Sequence, residues 1–216
     1  MNEKMLINPE LYLKICSIVY EVLDKMNSDV SLTVSCAAIH LLAKEIIEEN
    51  FKDIKVNFYC GTVIYNLNGL RLSYDYKEDV LWEDESLGNW HAFLILEKEN
   101  EKYFIDFMSP LFDEVFSIEE DFIPRKMFQK NINKNLSRIE FSKSNFLNTS
   151  SGDFYFEIEK DLTKKITNNQ STVFIKNFGV MLNEWYRNGK NKIIVKDNLG
   201  NQHCLVKAQI ELSGVW

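Results

Sequence analysis

The stretch that decides the fold is Trp90-His91-Ala92-Phe93-Leu94-Ile95-Leu96-Glu97, then Lys98-Glu99-Asn100-Glu101, then Lys102-Tyr103-Phe104-Ile105-Asp106-Phe107-Met108. Two runs of strand length, rich in Leu, Ile and aromatic residues, flank a polar tetrad suited to a surface turn. Neither run alternates cleanly with polar residues, so the sequence predicts a β-hairpin buried on both faces. His91 and Asp106 are the polar groups that do not belong there. If the turn closes symmetrically, Glu97 faces Lys102, which sets Phe93 opposite Asp106 and His91 opposite Met108. Residues directly opposite share a face, so His91 and Asp106 project to one side as diagonal neighbours. Such neighbours lie about 7–8 Å apart at the backbone, a gap that an imidazole and a carboxylate can bridge. A two-residue slip keeps the shared face, and a one-residue slip destroys it.

A charge buried in such a hairpin has to be compensated. A carboxylate that fixes an imidazole's tautomer is the orienter–base arrangement of nucleophilic catalysis. A structural hydrogen bond inside a β core would use the same two residues, and the hairpin alone does not choose between them. A nucleophile elsewhere in the chain decides.

That residue lies upstream, in Ser35-Cys36-Ala37-Ala38-Ile39-His40-Leu41-Leu42-Ala43-Lys44-Glu45-Ile46-Ile47. Ser35 is a good helix cap, and Ala37 to Ile47 are strong helix formers with hardly a charge in the first two turns. The helix is expected to be buried at its start and exposed only towards Lys44, Glu48 and Glu49. Cys36 then sits in the first turn, where unpaired amides and the helix dipole favour a thiolate. With a cation also near, such a cysteine can titrate in the range of about 3.5–7.5. Most cysteines are small core residues, and position at a helix start is what raises this one. His40 follows four residues later and lies near Cys36 on the helix surface. A base fixed on the same helix would lie behind the thiol, so His40 reads as a packed or supporting histidine.

Composition bounds the alternatives. A chain of 216 residues is long enough for one domain with a sizeable core, and 45% hydrophobic with 13% aromatic residues describes a globular protein. A formal net charge of −7, with Lys and Arg scattered, argues against a nucleic-acid-binding surface. Met1 to Glu10 lacks the basic start and apolar run of a signal peptide, and no stretch approaches the ~18 apolar residues of a membrane helix. The expected location is the cytoplasm, without membrane partners. Cys16, Cys36, Cys60 and Cys204 show no metal-ligand spacing, so no metal or other cofactor is expected, and the thiols are expected to be free.

Asn8-Pro9-Glu10 opens an amphipathic helix that ends near Met26-Asn27, with Cys16 beside its apolar stripe. Ile54–Cys60 and Thr62–Tyr65 read as strand interrupted at Gly61, with a turn at Asn66-Leu67-Asn68-Gly69 and a return strand over Leu70–Tyr74. Tyr76 to Asn89 reads as an acidic loop. Ser117-Ile118-Glu119-Glu120 matches a capping box for a short helix stopped by Pro124. Residues 1–125 form the expected core and 126–151, rich in Lys, Asn and Ser, a linker or excursion. Residues 152–216 form a strand–helix–hairpin extension packed on the same domain: a strand at Phe154–Ile158, a helix closed by Asn188-Gly189, and a hairpin across Asn198-Leu199-Gly200. His203 and Cys204 adjoin on a strand and therefore point to opposite faces.

The order Cys36, His91, Asp106, on a helix start and two consecutive strands, resembles the papain-like superfamily of cysteine enzymes, most closely its transglutaminase-like branch. His91-Ala92-Phe93 is similar to that branch's His-Ala-aromatic strand, and Tyr103-Phe104-Ile105-Asp106 to its aromatic-x-x-Asp strand. The likeness covers roughly Val30 to Pro110. It implies an α+β fold, in which a central helix carrying the cysteine packs on an antiparallel sheet. It also implies a bacterial cysteine hydrolase or acyltransferase with Cys36 as nucleophile, His91 as base and Asp106 as orienter. The substrate class would be a peptide, amide or thioester, reached through an acyl-enzyme, and Asn89 and Trp90, which lead into His91, are the candidate substrate contacts. There are departures. Ser-Cys-Ala-Ala lacks the aromatic residue that often follows the nucleophile, and no Gln precedes Cys36 at papain spacing. The second oxyanion donor is therefore open among Asn27, Ser31, Thr33 and a backbone amide. The Arg-Gly-Gly-x-Cys motif of arylamine N-acetyltransferases is absent. The alternative is an inactive member of the fold that serves as a binding or partner-interaction module.

Overall fold

The computed structural model describes residues 5–26, 35–74, 90–119, 122–133, 149–169, 171–196 and 200–216. It is an α+β fold with five α-helices and an antiparallel sheet curled into a half-barrel. Helix α1 spans Pro9–Met26, and Asn8 Oδ1 accepts the Leu11 amide at 2.9 Å, which is the predicted cap. Helix α2 spans Cys36–Asn50 and is buried through its first half, as its run of Ala, Ile and Leu requires. Ser35 precedes it, but its side chain makes no cap bond.

Strand β1 runs unbroken over Lys55–Leu67, through the glycine that reads as an interruption. The reason for Gly61 is distant in sequence: a Cβ there would stand 1.9 Å from the carbonyl oxygen of Glu157 on β6 (Phe154–Ile158), which pairs with β1 at this point. Asn68 and Gly69, both at positive φ, close the hairpin to β2 (Leu70–Tyr74). Strands β3 (His91–Lys98) and β4 (Glu101–Asp106) pair with Glu97 opposite Lys102 and Lys98 opposite Glu101, the symmetric closure expected from the turn. β3 pairs with β1, placing His91 opposite Gly61.

After β4 the chain enters a 3-10 turn at Ser109–Leu111 and a short helix α3 at Phe112–Val115. The capping-box helix over 117–124 is not formed in the described part: Ser117 takes φ 53°, outside helical geometry, and the Ser117 amide closes the end of α3 on Glu114. Arg125 pairs with Asp113, tying the following segment back to α3. Within 126–151, Phe128–Asn131 forms β5, which pairs with β4 and so belongs to the sheet. Helix α4 (Lys160–Asn169), absent from the sequence reading, packs on β1 through Leu162 and Ile166. Helix α5 (Ser171–Asn188) ends at Gly189 with φ 68° and packs on α2. The closing hairpin is β7 (Lys192–Lys196) with β8 (Gln202–Val206). No helix among the described residues is long and apolar enough to cross a membrane.

The register gives the sheet its working face. Phe93 and Phe104 stack at 4.9 Å, and Phe104 reaches Phe128, Phe154 and Phe156. His91 lies two residues from Phe93 and Asp106 two from Phe104, so both project to this aromatic side. On β1, Gly61, Val63 and Tyr65 share that face, and Tyr74 on β2 stands opposite Val63. Helix α2 lies across β1 and β3, with α1 and α5 packed against it.

Candidate active site

The predicted histidine–carboxylate pair is formed. His91 Nε2 lies 2.7 Å from Asp106 Oδ2, and both side chains are fully buried. Asp106 is the hub of a wider network. Its Oδ2 also accepts the hydroxyl of Tyr65, and its Oδ1 accepts the Met108 amide at 2.7 Å. Behind it, Tyr12 and Tyr20 of α1 donate to the carbonyl oxygens of Asp106 and Phe107, which fixes the end of β4 against the helix. Burial alone would push the Asp106 carboxyl up, but the His91 imidazole hydrogen-bonded to it more than offsets this and holds it well below the usual carboxylate range.

His91 is held in the opposite sense to a charged base. Burial pushes its pKa down, and the Asp106 carboxylate recovers only part of the loss. The ring is therefore neutral at neutral pH, with the proton on Nε2 facing Asp106 and a bare lone pair on Nδ1. That Nδ1 is buried and has no hydrogen-bond partner among the described residues.

Cys36 is the first residue of α2, as expected, and is buried with 9% of its surface exposed. The backbone amides of Ala92, Ala37 and Cys36 itself all act on the sulfur, so β3 and the helix start meet at the thiol. The expected depressed thiol pKa is overturned. Burial is the largest influence and the Asp106 charge adds to it, so Cys36 is pushed up to about 12 despite those three amides. Cys36 rests as a thiol and His91 as a neutral imidazole, since burial is the largest influence on each.

His40 holds the two halves together. Its Nδ1–H donates to the Cys36 carbonyl oxygen at 2.7 Å, and its Nε2 accepts the Phe107 amide at 3.0 Å. The same Nε2 stands 3.2 Å from Asp106 Oδ1. His40 thus supports the nucleophile's helix and the carboxylate's strand, as its position four residues after Cys36 suggested. Among the described residues, His40, His91 and Asp106 are the group whose ligand atoms converge, within 4.8 Å of one another. A metal ion there would compete for lone pairs already occupied by the Phe107 and Met108 amides, the Tyr65 hydroxyl and the His91 N–H.

Four tyrosines around this site escaped the sequence reading: Tyr12, Tyr20, Tyr65 and Tyr74, the last stacked on His91 at 4.3 Å between ring centroids. The available signal for Tyr65 was its phase on β1, four residues beyond Gly61 and so on the same face. Trp90 is half-buried and immediately precedes β3, and Asn89 lies outside the described residues. So do Asn27, Ser31 and Thr33, the side-chain candidates for the oxyanion donor, and the acidic segment 76–89.

Fold and site together define an α+β protein with a half-barrel antiparallel sheet, whose buried histidine–aspartate–histidine cluster adjoins a cysteine at a helix start. The chain belongs to the DUF2026 family, proteins of unknown function, whose family model matches residues 9–216. Its fold is shared with a crystal structure described only as a genomics target, with a TM-score of 0.76, 23% identity, and coverage of 99% of this chain and 98% of that one. No curated protein matches the chain.

Proposed function

We propose that the protein is a cysteine hydrolase or acyltransferase of papain-like or transglutaminase-like arrangement, with Cys36 as nucleophile, His91 as general base and Asp106 as orienter. The observation that carries the reading is the state of His91: Nε2–H donates to Asp106 at 2.7 Å, and Nδ1 is left as a buried base with no partner among the described residues. In a purely structural pair both ring nitrogens would be expected to find partners. The Ala92 amide acts on Cys36 from the residue next to His91, which ties the thiol to the start of the same strand.

The chemistry follows from the resting charges. On attack, His91 Nδ1 takes the thiol proton as the Cys36 sulfur bonds to the acyl carbon. The carbonyl π pair moves to oxygen, where the Cys36 amide at the helix start donates to it. Collapse breaks the bond to the leaving group, His91 returns the proton to a leaving amine, and an acyl thioester remains. Water then completes a hydrolysis, and an amine completes a transfer. The proposed location is the cytoplasm, where these thiols stay reduced.

The test is adduct mapping with 4-nitrophenyl acetate as a generic acyl donor. Acetylation of Cys36, lost in His91→Ala, supports the proposal. Acylation confined to other residues, and unchanged in Cys36→Ser, contradicts it. A second reading, a binding module with an inert cluster, is favoured by the burial of Cys36, and an unreactive Cys36 in the folded protein is its signature.

A further inference from the structure

Two buried polar atoms on the working face lack partners among the described residues: His91 Nδ1 and the Tyr74 hydroxyl. Their rings lie one on the other, with centroids 4.3 Å apart and planes 16° from parallel. The register explains the stack, because Tyr74 is opposite Val63 and His91 opposite Gly61, two residues along one strand. Gly61 is the close-approach position for β6. Phe116 packs against Tyr74 at 5.2 Å, which helps to fix its ring.

We infer that Tyr74 is a catalytic residue: its hydroxyl supplies a second oxyanion donor, acting beside the Cys36 amide on the acyl oxygen. The inference rests on the acyl-transfer reading above. A buried hydroxyl with no partner among the described residues costs free energy that a structural tyrosine has no reason to bear, and a donor kept free for a transient oxyanion does. Burial, then the Asp106 charge, then Cys36 push the phenol pKa up, so Tyr74 stays protonated and able to donate. Tyr65, whose ring also faces His91, is excluded from the role because its hydroxyl is spent on Asp106.

In the step assigned to it, the Cys36 sulfur–carbon bond forms and the carbonyl π pair becomes an oxyanion that accepts the Tyr74 O–H, while the thiol proton resides on His91 Nδ1. Loss of 4-nitrophenolate restores the carbonyl, leaves acetyl-Cys36 and frees Tyr74.

The experiment compares two reactions of Cys36 in the full-length protein and in Tyr74→Phe, in a Cys204→Ser background. Acetylation by 4-nitrophenyl acetate passes through an oxyanion, whereas alkylation by iodoacetamide displaces iodide and does not. Tyr74→Phe keeps the ring and its stack and removes one atom. The expected result is acetylation slowed about 100-fold, the cost of one oxyanion donor, with alkylation within about twofold and melting temperature equal or higher. Acetylation and alkylation slowed equally would assign Tyr74 to positioning of His91 and overturn the inference. Unchanged acetylation of Cys36 would also overturn it while leaving the acyl-transfer reading intact. Acetylation that is no faster in the parent than in Cys36→Ser would remove that reading and the inference together.

Discussion

His91 and Asp106 stand two residues off a directly opposed position on β3 and β4, and their side chains close the diagonal to a 2.7 Å hydrogen bond with neither exposed to solvent. The contact uses the imidazole's Nε2 and so leaves Nδ1 as its basic atom. The behaviour of the site follows from that division of the ring.

The order in which the cysteines react is set first by exposure. Cys204 is exposed on β8, while Cys16, Cys36 and Cys60 are buried. Iodoacetamide near neutral pH is expected to label Cys204 first in the native protein. Cys16 and Cys60 should remain the slowest, because burial pushes both thiols well above the ordinary range. Peptide mass spectrometry at substoichiometric reagent measures the order. Cys36 reacting ahead of Cys204 would mean that it is a resting thiolate, contrary to a thiol pushed up to about 12.

Acid should weaken the fold in two stages. The folded pKa of His91 is lowered, so protons bind more strongly to the unfolded chain, and stability falls as the pH drops below the ordinary imidazole value of about 6.5. The Asp106 carboxyl is also depressed; its contribution is intact above about 3.9 and is lost progressively below it. Urea denaturation at a series of pH values should show both regions, and His91→Phe should flatten the upper one. A stability that rose between pH 6.5 and 5 would mean that His91 is a charged histidine in the fold.

Asp106→Asn tests the hub. The carboxylate accepts from His91, Tyr65 and Met108, and an amide nitrogen in place of one oxygen leaves at least one of those donors facing another donor. The expected loss is roughly 1–3 kcal/mol of unfolding free energy. A catalytic and a structural role both predict that loss, so melting alone does not separate them. Titration of His91 does: by NMR of the labelled ring, the Nε2–H tautomer should lose its preference in the variant. A His91 tautomer identical in the two proteins would remove Asp106 as its orienter.

The hairpin was legible because strand periodicity and a four-residue polar break determine the register, and the register determines which side chains meet. Asn8-Pro9 and Asn188-Gly189 were legible for a similar reason: capping chemistry is local. What escaped was set by distant contacts. Gly61 reads as a break in one chain segment, and only the approach of Glu157 shows why a strand needs it. Ser117 and Glu120 satisfy a capping pattern, yet the segment is drawn back to α3, where Arg125 meets Asp113. Helix α4 carries a thin apolar signal, Leu162 and Ile166 one turn apart in a Lys- and Asn-rich run. Tyr65 and Tyr74 look like any aromatic strand residues until the register brings their rings against His91, Tyr65 edge-on and Tyr74 stacked. The thiol's environment was misjudged for a different reason: the helix start is visible in sequence, but the depth of burial that outweighs it is not.

The most direct test of His91 as the base for Cys36 is the pH–rate profile of Cys36 acetylation by 4-nitrophenyl acetate, in Cys204→Ser with and without His91→Gln. With the histidine, the rate should reach its plateau below about pH 6.5, because the ring that must be neutral titrates below that value. Without it, the rate near neutral pH should fall about 100-fold or more, the usual contribution of a general base, and climb only as the thiol itself ionises towards pH 12. Identical rates and profiles for the two proteins, with acetyl-Cys36 formed in both, would contradict the account.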